Sequence, residues 1–274
     1  MTINCKGKLI DLSKPKVMGI LNLTPNSFFD GGKYTNEEEI VAQVHKMLSE
    51  GATFIDIGAY SSKPNAEFVA VEEEIARIVP VVELLINHFP NIIISIDTFR
   101  SEVAEACILK GAALINDISA GKLDDLMLTV IAKYNVPYIM MHMKGTPQTM
   151  QTLTQYDAIV EEILLYFSER IAAARSLGIN DLIVDPGFGF AKTLEQNYEL
   201  LQKMELFEQL NLPILAGISR KSMIYKVLNC NPSESLNGTT TLNTVSLMKG
   251  ANILRVHDVK EAMECVTLFN ALHS

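Results

Sequence analysis

Short apolar runs alternate with longer amphipathic stretches along the whole chain. The runs are rich in Ile and Val and show little polar alternation, which is typical of strands buried on both faces of a sheet. Eight such runs occur, at residues 17–21, 53–57, 92–96, 113–115, 138–141, 182–184, 214–216 and 253–256. Helical spacing of apolar residues occurs between them, at 36–50, 71–88, 101–110, 123–134, 157–177, 193–210, 236–249 and 259–272.

This alternation predicts parallel βαβ units and an α/β fold. Eight repeats of the unit predict a closed (β/α)8 TIM barrel, and the 274 residues of the chain fit the roughly 250 that such a barrel needs. An open, doubly wound sheet is the structural alternative. The chain has no linker, charge run, internal repeat or low-complexity tract, so we predict a single domain over residues 1–274. Weak alternation in residues 1–16 predicts an N-terminal hairpin below the barrel.

Composition narrows the classes of function. The formal net charge of −9 argues against a general nucleic-acid binder, which should be basic. No apolar run approaches the roughly 18 residues of a membrane span, and the N-terminus lacks the apolar core of a signal peptide. The four cysteines are scattered without a CxxC pair. We therefore expect reduced thiols in a cytoplasmic protein, with neither a disulfide nor a zinc site.

The first apolar run passes directly into a polar segment that ends at a glycine pair. Asn22 follows the run, Pro25 stops a continued strand or helix, and Phe28 stands near Asp30 and the glycines. Aromatic residues in such a polar loop are poor candidates for core. We therefore expect a loop at the end of the first barrel strand that presents an apolar surface to a ligand.

Polar residues stand at the C-terminal end of every predicted strand. In a (β/α)8 barrel these ends gather on the face that carries the active site. In strand order the residues are Asn22; Asp56 with 61–64; Asp97; Asn116 and Asp117; His142; Asp185; 219–222; and Arg255, His257 and Asp258. A single Asp or Asn at such a place is as readily a helix cap or turn residue. Eight polar ends together with several cations indicate a binding site.

One set of residues in this ring suits a flat heterocycle. Asp97, Asn116, Asp185 and Lys221 offer carboxylates, an amide and an ammonium group. Carboxylates accept from amino and amide N–H groups, while lysine donates to a carbonyl or a ring nitrogen. We expect a ligand that carries N–H donors and a carbonyl.

A second set suits a phosphorylated group. The loops after strands seven and eight are the usual phosphate site in this fold, so Arg255 and His257 suit a phosphate or pyrophosphate. The neutral oxygen of Asn22 suits Mg²⁺ that is held mainly by substrate phosphate and water. The alternative for Arg255 and His257 is a solvated salt bridge with Asp258 or Glu261.

Apolar residues near the ring indicate walls for an aromatic ligand. The turn at 185–193 is rich in glycine and carries two phenylalanines, one of which is Phe190. A glycine turn into a helix is also a phosphate site in other proteins, but this one lacks the GxGxxG spacing. The nearby methionines fit strand core, and we expect one of them, Met140, to pack on a ring face of the ligand.

Taken together, seven motifs resemble the dihydropteroate synthase family of folate synthesis. They are MGILNLTPNSFFDGG, DIGAYSSKPNA, SIDTF, INDISAG, MMHMKGTPQTMQ, DPGFGFAKT with GISRKSMI, and LRVHDV. The resemblance covers residues 17–261, which is nearly the whole chain. GISRKS, LRVHDV and the first loop are highly specific together, whereas none of the shorter motifs is specific alone.

The resemblance implies a defined reaction. Members of the family join 4-aminobenzoate to 6-hydroxymethyl-7,8-dihydropterin diphosphate and release 7,8-dihydropteroate and pyrophosphate, with Mg²⁺ required. Loss of pyrophosphate would leave a pterin methylene cation, which the aniline nitrogen attacks. Sulfonamides mimic the aminobenzoate, and the family is usually a homodimer built through outer helices near the C-terminus.

The resemblance also implies a role for each candidate residue. The pterin would contact Asp97, Asn116, Asp185 and Lys221. Mg²⁺ would bind Asn22, and pyrophosphate would bind Arg255 and His257. The aminobenzoate edge would be formed by Ser62, Pro64, Phe28, Phe190 and Ser222. The residues expected to carry catalysis are Asp97, Lys221, Asp30 and Lys63.

Three residues depart from the family pattern. Lys63 stands where the family usually has Arg, Asn65 stands where it has Gly, and Asn26 stands where it has Asp. Lys63 keeps the positive charge but loses the bidentate fork of arginine. These changes touch the aminobenzoate side and loop closure more than the pterin pocket, so they bear on turnover and on sulfonamide affinity.

Three other functions stay open. A pterin-binding paralogue could have lost turnover through the altered loop. A methyltransferase that moves a methyl group from methyltetrahydrofolate to a corrinoid shares the barrel and the Asp/Asn pocket, but it has no use for a pyrophosphate anchor. A generic phosphate-binding barrel lyase or aldolase would need a Schiff-base lysine or a clear acid/base pair.

Overall fold

The computed structural model describes residues 1–23, 35–60 and 69–273. Its strands are β1 Thr2–Cys5, β2 Lys8–Asp11, β3 Lys16–Asn22, β4 Phe54–Gly58, β5 Ile94–Asp97, β6 Leu114–Asp117, β7 Tyr138–Met141, β8 Leu182–Asp185, β9 Leu215–Ala216 and β10 Ile253–Val256. The first two strands pair as an antiparallel hairpin. The other eight form one parallel sheet in the order β8-β7-β6-β5-β4-β3-β10-β9.

A bridge between the two end strands closes this sheet. Val184 in β8 pairs in parallel with Ile214, which directly precedes β9. The backbone N–H of Val184 also donates to the Pro213 carbonyl over 3.0 Å. The architecture is the (β/α)8 barrel that the alternation of the sequence predicts, and the open-sheet alternative is wrong.

Helices follow the strands around the outside of the barrel. In the described ranges they are α1 Thr35–Ser49, α2 Val71–His88, α3 Ser101–Leu109, α4 Met127–Tyr134, α5 Ile159–Ser176, α6 Leu194–Gln202, α7 Ser222–Leu228, α8 Leu236–Met248 and α9 Val259–Leu272. The helix predicted at 193–210 is divided, because α6 ends and a 3₁₀ segment, Met204–Leu210, follows. The short helix α7 has no counterpart in the predicted pattern. Within the described ranges, no helix is both long and apolar enough to cross a membrane.

The two faces of β7 pack in different layers. Tyr138 and Met140 belong to the core between sheet and helices, whereas Ile139 points into the barrel. Met141 lies at the mouth of the barrel, in a cluster against which Phe190 packs. Successive strand residues face opposite ways, so the expectation that Met140 packs on a ligand is wrong by one position. Met141 is the methionine of this strand that faces the mouth.

The N-terminal hairpin forms the floor of the barrel. Ile3 and Ile10 are buried in the same cluster as Met18, Phe54 and Ile253 from the interior of the barrel. These contacts close the end opposite the strand C-termini. In the described part of the chain, the hairpin therefore covers the face opposite the polar strand ends.

Asp117 at the end of β6 fixes a turn rather than a ligand. It is completely buried and accepts from the Ser119 N–H, the Ser119 hydroxyl and the Gly121 N–H, each over 2.7 Å. The Tyr138 hydroxyl donates to its Oδ2 over 2.5 Å. Burial raises the pKa of Asp117 even though these hydrogen bonds oppose the rise.

Replacing this hydroxyl should destabilise the barrel. Tyr138→Phe leaves a buried carboxylate oxygen of Asp117 with one donor fewer, and we expect the free energy of unfolding to fall by about 1–3 kcal/mol. Tyr134→Phe is the matched control, because the Tyr134 hydroxyl donates to Glu105, which Lys133 also holds at the surface. We expect that control to change stability by less than about 0.5 kcal/mol in urea denaturation. Equal losses in the two variants would contradict the buried role of Tyr138.

Candidate active site

A buried ion-pair cluster lies at the mouth of the barrel. Arg255 on β10 donates from Nε to Asp56 Oδ2 and from Nη2 to Asp97 Oδ2, each over 2.6 Å. Asn116 on β6 donates from Nδ2 to the same Asp56 oxygen over 3.1 Å. Side chains from β10, β4, β5 and β6 therefore meet on two carboxylates. The structure brings Asp97, Asn116 and Arg255 together, as the sequence predicts for residues at strand ends.

The environment changes the acidity of these groups. Burial raises the pKa of Asp97 to about 7, against the opposing charge of Arg255 and with a further rise caused by the Asp56 carboxylate. Burial also works against the charge on Arg255, but Asp56 and Asp97 outweigh it and raise the pKa of Arg255 above its usual value. Asp97 therefore titrates near neutral pH while the arginine beside it stays charged.

Asp56 is the site residue to which sequence reasoning gave no role. It is completely buried, and its Oδ1 has no hydrogen-bond partner among the described residues. The signal was present in β4, FIDIG, where a carboxylate interrupts a strand that is buried throughout. A charge at such a position must be paired inside the protein, and the arginine on β10 is its partner.

Asp185 and Lys221 form the other side of the mouth. Asp185 Oδ1 accepts from the Gly187 N–H over 2.8 Å, and burial raises the pKa of Asp185 against the opposing charge of Lys221. Lys221 Nζ donates to the Phe188 carbonyl over 2.5 Å and lies 4.7 Å from the centre of the Phe190 ring. Burial lowers the pKa of Lys221 to about 8, although the Asp185 carboxylate opposes this. This side offers a carboxylate, an ammonium group and an aromatic wall.

The rim beyond β10 carries His257. Ser219 Oγ lies 3.1 Å from His257 Nδ1, and it accepts from the His257 backbone N–H over 3.2 Å. Arg220 binds both carboxylate oxygens of Asp258, over 2.8 and 2.9 Å. The alternative in which Arg255 forms a salt bridge with Asp258 is therefore wrong, because each arginine has a different carboxylate partner.

Asn22 ends β3 on the same face, with an exposed side chain. Among the described residues, no group of three or more His, Cys, Asp or Glu side chains is arranged to hold a metal ion.

The candidate aminobenzoate edge is described only in part. Ser222 begins α7 and lines a small polar cavity of about 150 Å³ together with Thr193 and Asn197. Phe190 is half-buried beside Lys221. The remaining candidates on this side lie outside the described residues; they are Phe28, Asp30, Ser62, Lys63 and Pro64.

Known proteins share this fold and much of this sequence. A family model described as "Pterin binding enzyme" matches residues 18–257. The dihydropteroate synthase of Escherichia coli K12 is 44% identical over 273 residues, which cover 99% of this chain and 96% of that protein. The structure of Yersinia pestis dihydropteroate synthase in a sulfonamide drug complex superposes with a TM-score of 0.93 at 41% identity, covering 100% of this chain and 99% of that one.

A third protein is similar over the same length. The structure of Xanthomonas albilineans dihydropteroate synthase in complex with 7,8-dihydropteroate has a TM-score of 0.89 and 36% identity, with 100% of this chain and 99% of that one covered. Fold and site define a pterin binding enzyme of the (β/α)8 class. The chain belongs to the dihydropteroate synthase family, the transferases that carry out the condensation step of folate synthesis.

A glycine in the Asp185 turn has a sharp steric requirement. Gly187 has φ +73°, and a Cβ at this position would lie 2.1 Å from the His142 carbonyl oxygen. Gly178 has a similar φ of +82°, but no atom lies within 4 Å of the corresponding Cβ. The two glycines therefore share the backbone constraint and differ only in the clash.

Alanine at these two positions separates the effects. Gly178→Ala should cost about 1–2 kcal/mol of unfolding free energy, because only the left-handed backbone is penalised. Gly187→Ala should cost a further ~1–3 kcal/mol, because the backbone of β7 or of the turn must move away. Urea denaturation of both variants measures the difference. If Gly187→Ala is no less stable than Gly178→Ala, the close approach of the turn to β7 does not exist in solution.

Proposed function

We propose that the chain condenses 6-hydroxymethyl-7,8-dihydropterin diphosphate with 4-aminobenzoate to give 7,8-dihydropteroate and pyrophosphate. The observation that carries this proposal is the convergence of Asp97, Asn116, Asp185 and Lys221 on the buried mouth of the barrel. The ligand named for the Xanthomonas albilineans relative, 7,8-dihydropteroate, contains both halves of the proposed product.

The pterin would bind through the two acidic sides of the mouth. The carboxylates of Asp97 and Asp185 accept N–H groups of the ring, and Asn116 adds an amide. Lys221, whose ammonium group lies beside the Phe190 ring, donates to a ring nitrogen or carbonyl. Met141 takes the apolar contact that the sequence assigned to Met140. A carboxylate such as Asp97 also favours positive charge on the ring as pyrophosphate leaves.

Arg255 and His257 would hold the pyrophosphate. Two carboxylates fix the guanidinium of Arg255, so this charge is in place before substrate arrives and needs no reorganisation during the reaction. Ser219 orients the imidazole ring of His257. Since Asp56 and Asp97 partly neutralise Arg255, we assign it to the boundary between the pterin and the leaving group, with His257 nearer the outer phosphate.

Asn22 would hold Mg²⁺. Its exposed amide oxygen at the end of β3, with no acidic cluster among the described residues, fits an ion bound mainly through substrate phosphate and water. When bound, Mg²⁺ supplies positive charge that stabilises the departing pyrophosphate.

The aminobenzoate would enter between Phe190, Ser222 and the loops that carry Phe28, Ser62 and Pro64. Its amino group is already neutral near pH 7, so attack on the pterin methylene cation needs no strong general base. Asp30 and Lys63 would act at loop closure, which keeps water away from the cation. The contacts and roles of these five loop residues rest on the family resemblance.

We also propose a cytoplasmic homodimer. The four cysteines are free, which fits a reducing compartment. The apolar side chains of Met248, Leu268 and Leu272 are exposed on α8 and α9, and a second copy of the chain would cover them.

The direct test is a three-component assay. Purified protein is mixed with the pterin diphosphate and Mg²⁺, with and without 4-aminobenzoate, and both pyrophosphate and dihydropteroate are measured. We expect dihydropteroate only when all three components are present. Tight pterin binding without dihydropteroate would instead indicate the weakened paralogue, and Lys63→Arg combined with Asn65→Gly would be the next variant.

The pKa of Asp97 gives a second test. Because Asp97 has a pKa of about 7, lowering the pH below that value protonates it and removes an acceptor for ring N–H groups. The dissociation constant of 6-hydroxymethyl-7,8-dihydropterin, which lacks the titrating diphosphate, should rise by about tenfold per pH unit below pH ~7. Asp97→Asn should bind the pterin more weakly at pH ~8, and its dissociation constant should no longer rise below pH ~7. A wild-type profile that is flat from pH ~8 to pH ~6 would rule out Asp97 as the titrating acceptor.

A further inference from the structure

A second cavity lies at one side of the ring of strand ends, between the loops after β6 and β7 and the helix α5. Its volume is about 310 Å³, and its lining includes Ser119, Lys122, His142, Lys144, Glu162 and Tyr166. None of the four residues proposed to bind the pterin lines it. The volume is at the lower end of the range for small-molecule sites, which begins at about 300 Å³.

The polar group at the inner wall is His142, which is 2% exposed. Lys192 Nζ donates to His142 Nδ1 over 3.1 Å, to the Gly187 carbonyl over 2.9 Å and to the Phe190 carbonyl over 3.0 Å. When Lys192 is charged, these three acceptors use the three donors of its ammonium group. In that state Nδ1 is the acceptor nitrogen of the imidazole, and the ring proton is on Nε2.

The ring proton of His142 is available to a ligand. Among the described residues, the side-chain hydrogen bond found for the ring is at Nδ1, and none is found for Nε2. The residue lines the cavity, so Nε2–H is the ring donor left for a ligand there. Burial, together with the charges of Lys192, Lys144 and Lys122, holds the pKa of His142 well below its usual value, so the ring is neutral.

The charges around the cavity do not cancel. Lys144 Nζ pairs with Glu162 over 2.9 Å, so these two charges neutralise each other. Lys122 Nζ lies 4.4 Å from the centre of the Tyr166 ring, and no carboxylate partner for it is found in the described part of the chain. The cavity thus combines the exposed ammonium group of Lys122, the Nε2 side of the buried His142 ring and an aromatic wall.

We propose that this cavity is a second ligand site, which binds an oxyanion group of a small molecule through His142 Nε2–H and Lys122. A negatively charged oxygen compensates the lysine and accepts the histidine proton, and both contacts are charge-assisted or buried. Phosphate and carboxylate groups share this chemistry. The site is joined to the active-site turn, because the His142 N–H donates to the Asp185 carbonyl over 3.0 Å.

The chemical shifts of the histidine ring nitrogens measure binding at this site without relying on catalysis. The chain has five histidines, so the ring nitrogens of ¹⁵N-histidine-labelled protein form a small set, and His142→Gln assigns the resonances of His142. Inorganic phosphate is titrated in one arm and acetate in the other. His257 reports binding at the proposed pyrophosphate anchor in the same spectra. Failure of this proposal therefore stays separate from failure of the proposed condensation.

The expected result is a saturable shift of His142 Nε2 whose dissociation constant rises about tenfold or more in Lys122→Met, which removes the charge and keeps the apolar stem. Lys133→Met is the matched control, because Lys133 also lies over a tyrosine ring, 4.8 Å from the centre of Tyr134. A response to phosphate alone or to acetate alone assigns the group; a response to both assigns a general oxyanion site. The proposal is overturned if His142 does not respond, or if Lys122→Met and Lys133→Met bind equally.

Discussion

The guanidinium group of Arg255 is the connection on which the mouth of the barrel depends. It joins β10, the last strand of the chain, to Asp56 on β4 and Asp97 on β5. Removing one partner of a buried ion pair typically costs about 3–5 kcal/mol, because the remaining charge has no solvent to compensate it. The pairing depends on the strand order of the sheet, in which β10 lies beside β3 and within reach of the next two strands. Fold and site are thus fixed by the same contacts.

The opposite side of the mouth is organised by backbone contacts instead. The turn after β8 folds back on β7, with Gly187 against the His142 carbonyl and the ammonium group of Lys192 bonded to two carbonyls of the turn. Burial lowers the pKa of Lys192 to about 7, so this internal cation is held at some cost. The turn in return sets the position of Asp185 and of the Phe190 wall. One half of the site is therefore held by side-chain charges and the other by a tight loop.

The sequence was sufficient for the barrel and for most strand-end residues, because buried parallel strands have an apolar signature and their ends share one face. The prediction failed where an apolar run does not show which side chains face the mouth and which face the helices. Three consecutive apolar residues in β7 give no alternation, so Met140 was chosen where Met141 faces the mouth. The seven residues of α7 make only about two helical turns, which is too short for a clear apolar periodicity. Asp56 was visible in the sequence, but its role depends on Arg255, which lies 199 positions away in the chain.

The carboxylates shared within the Arg255 cluster limit how this site can evolve. Asp56 Oδ2 accepts from both Arg255 and Asn116, so replacing any one of the three disturbs the other two. A change from this cluster to another functional arrangement would need several simultaneous substitutions, because each one alone is harmful. An inhibitor whose affinity came from this part of the barrel would therefore leave the target few single-step routes to resistance.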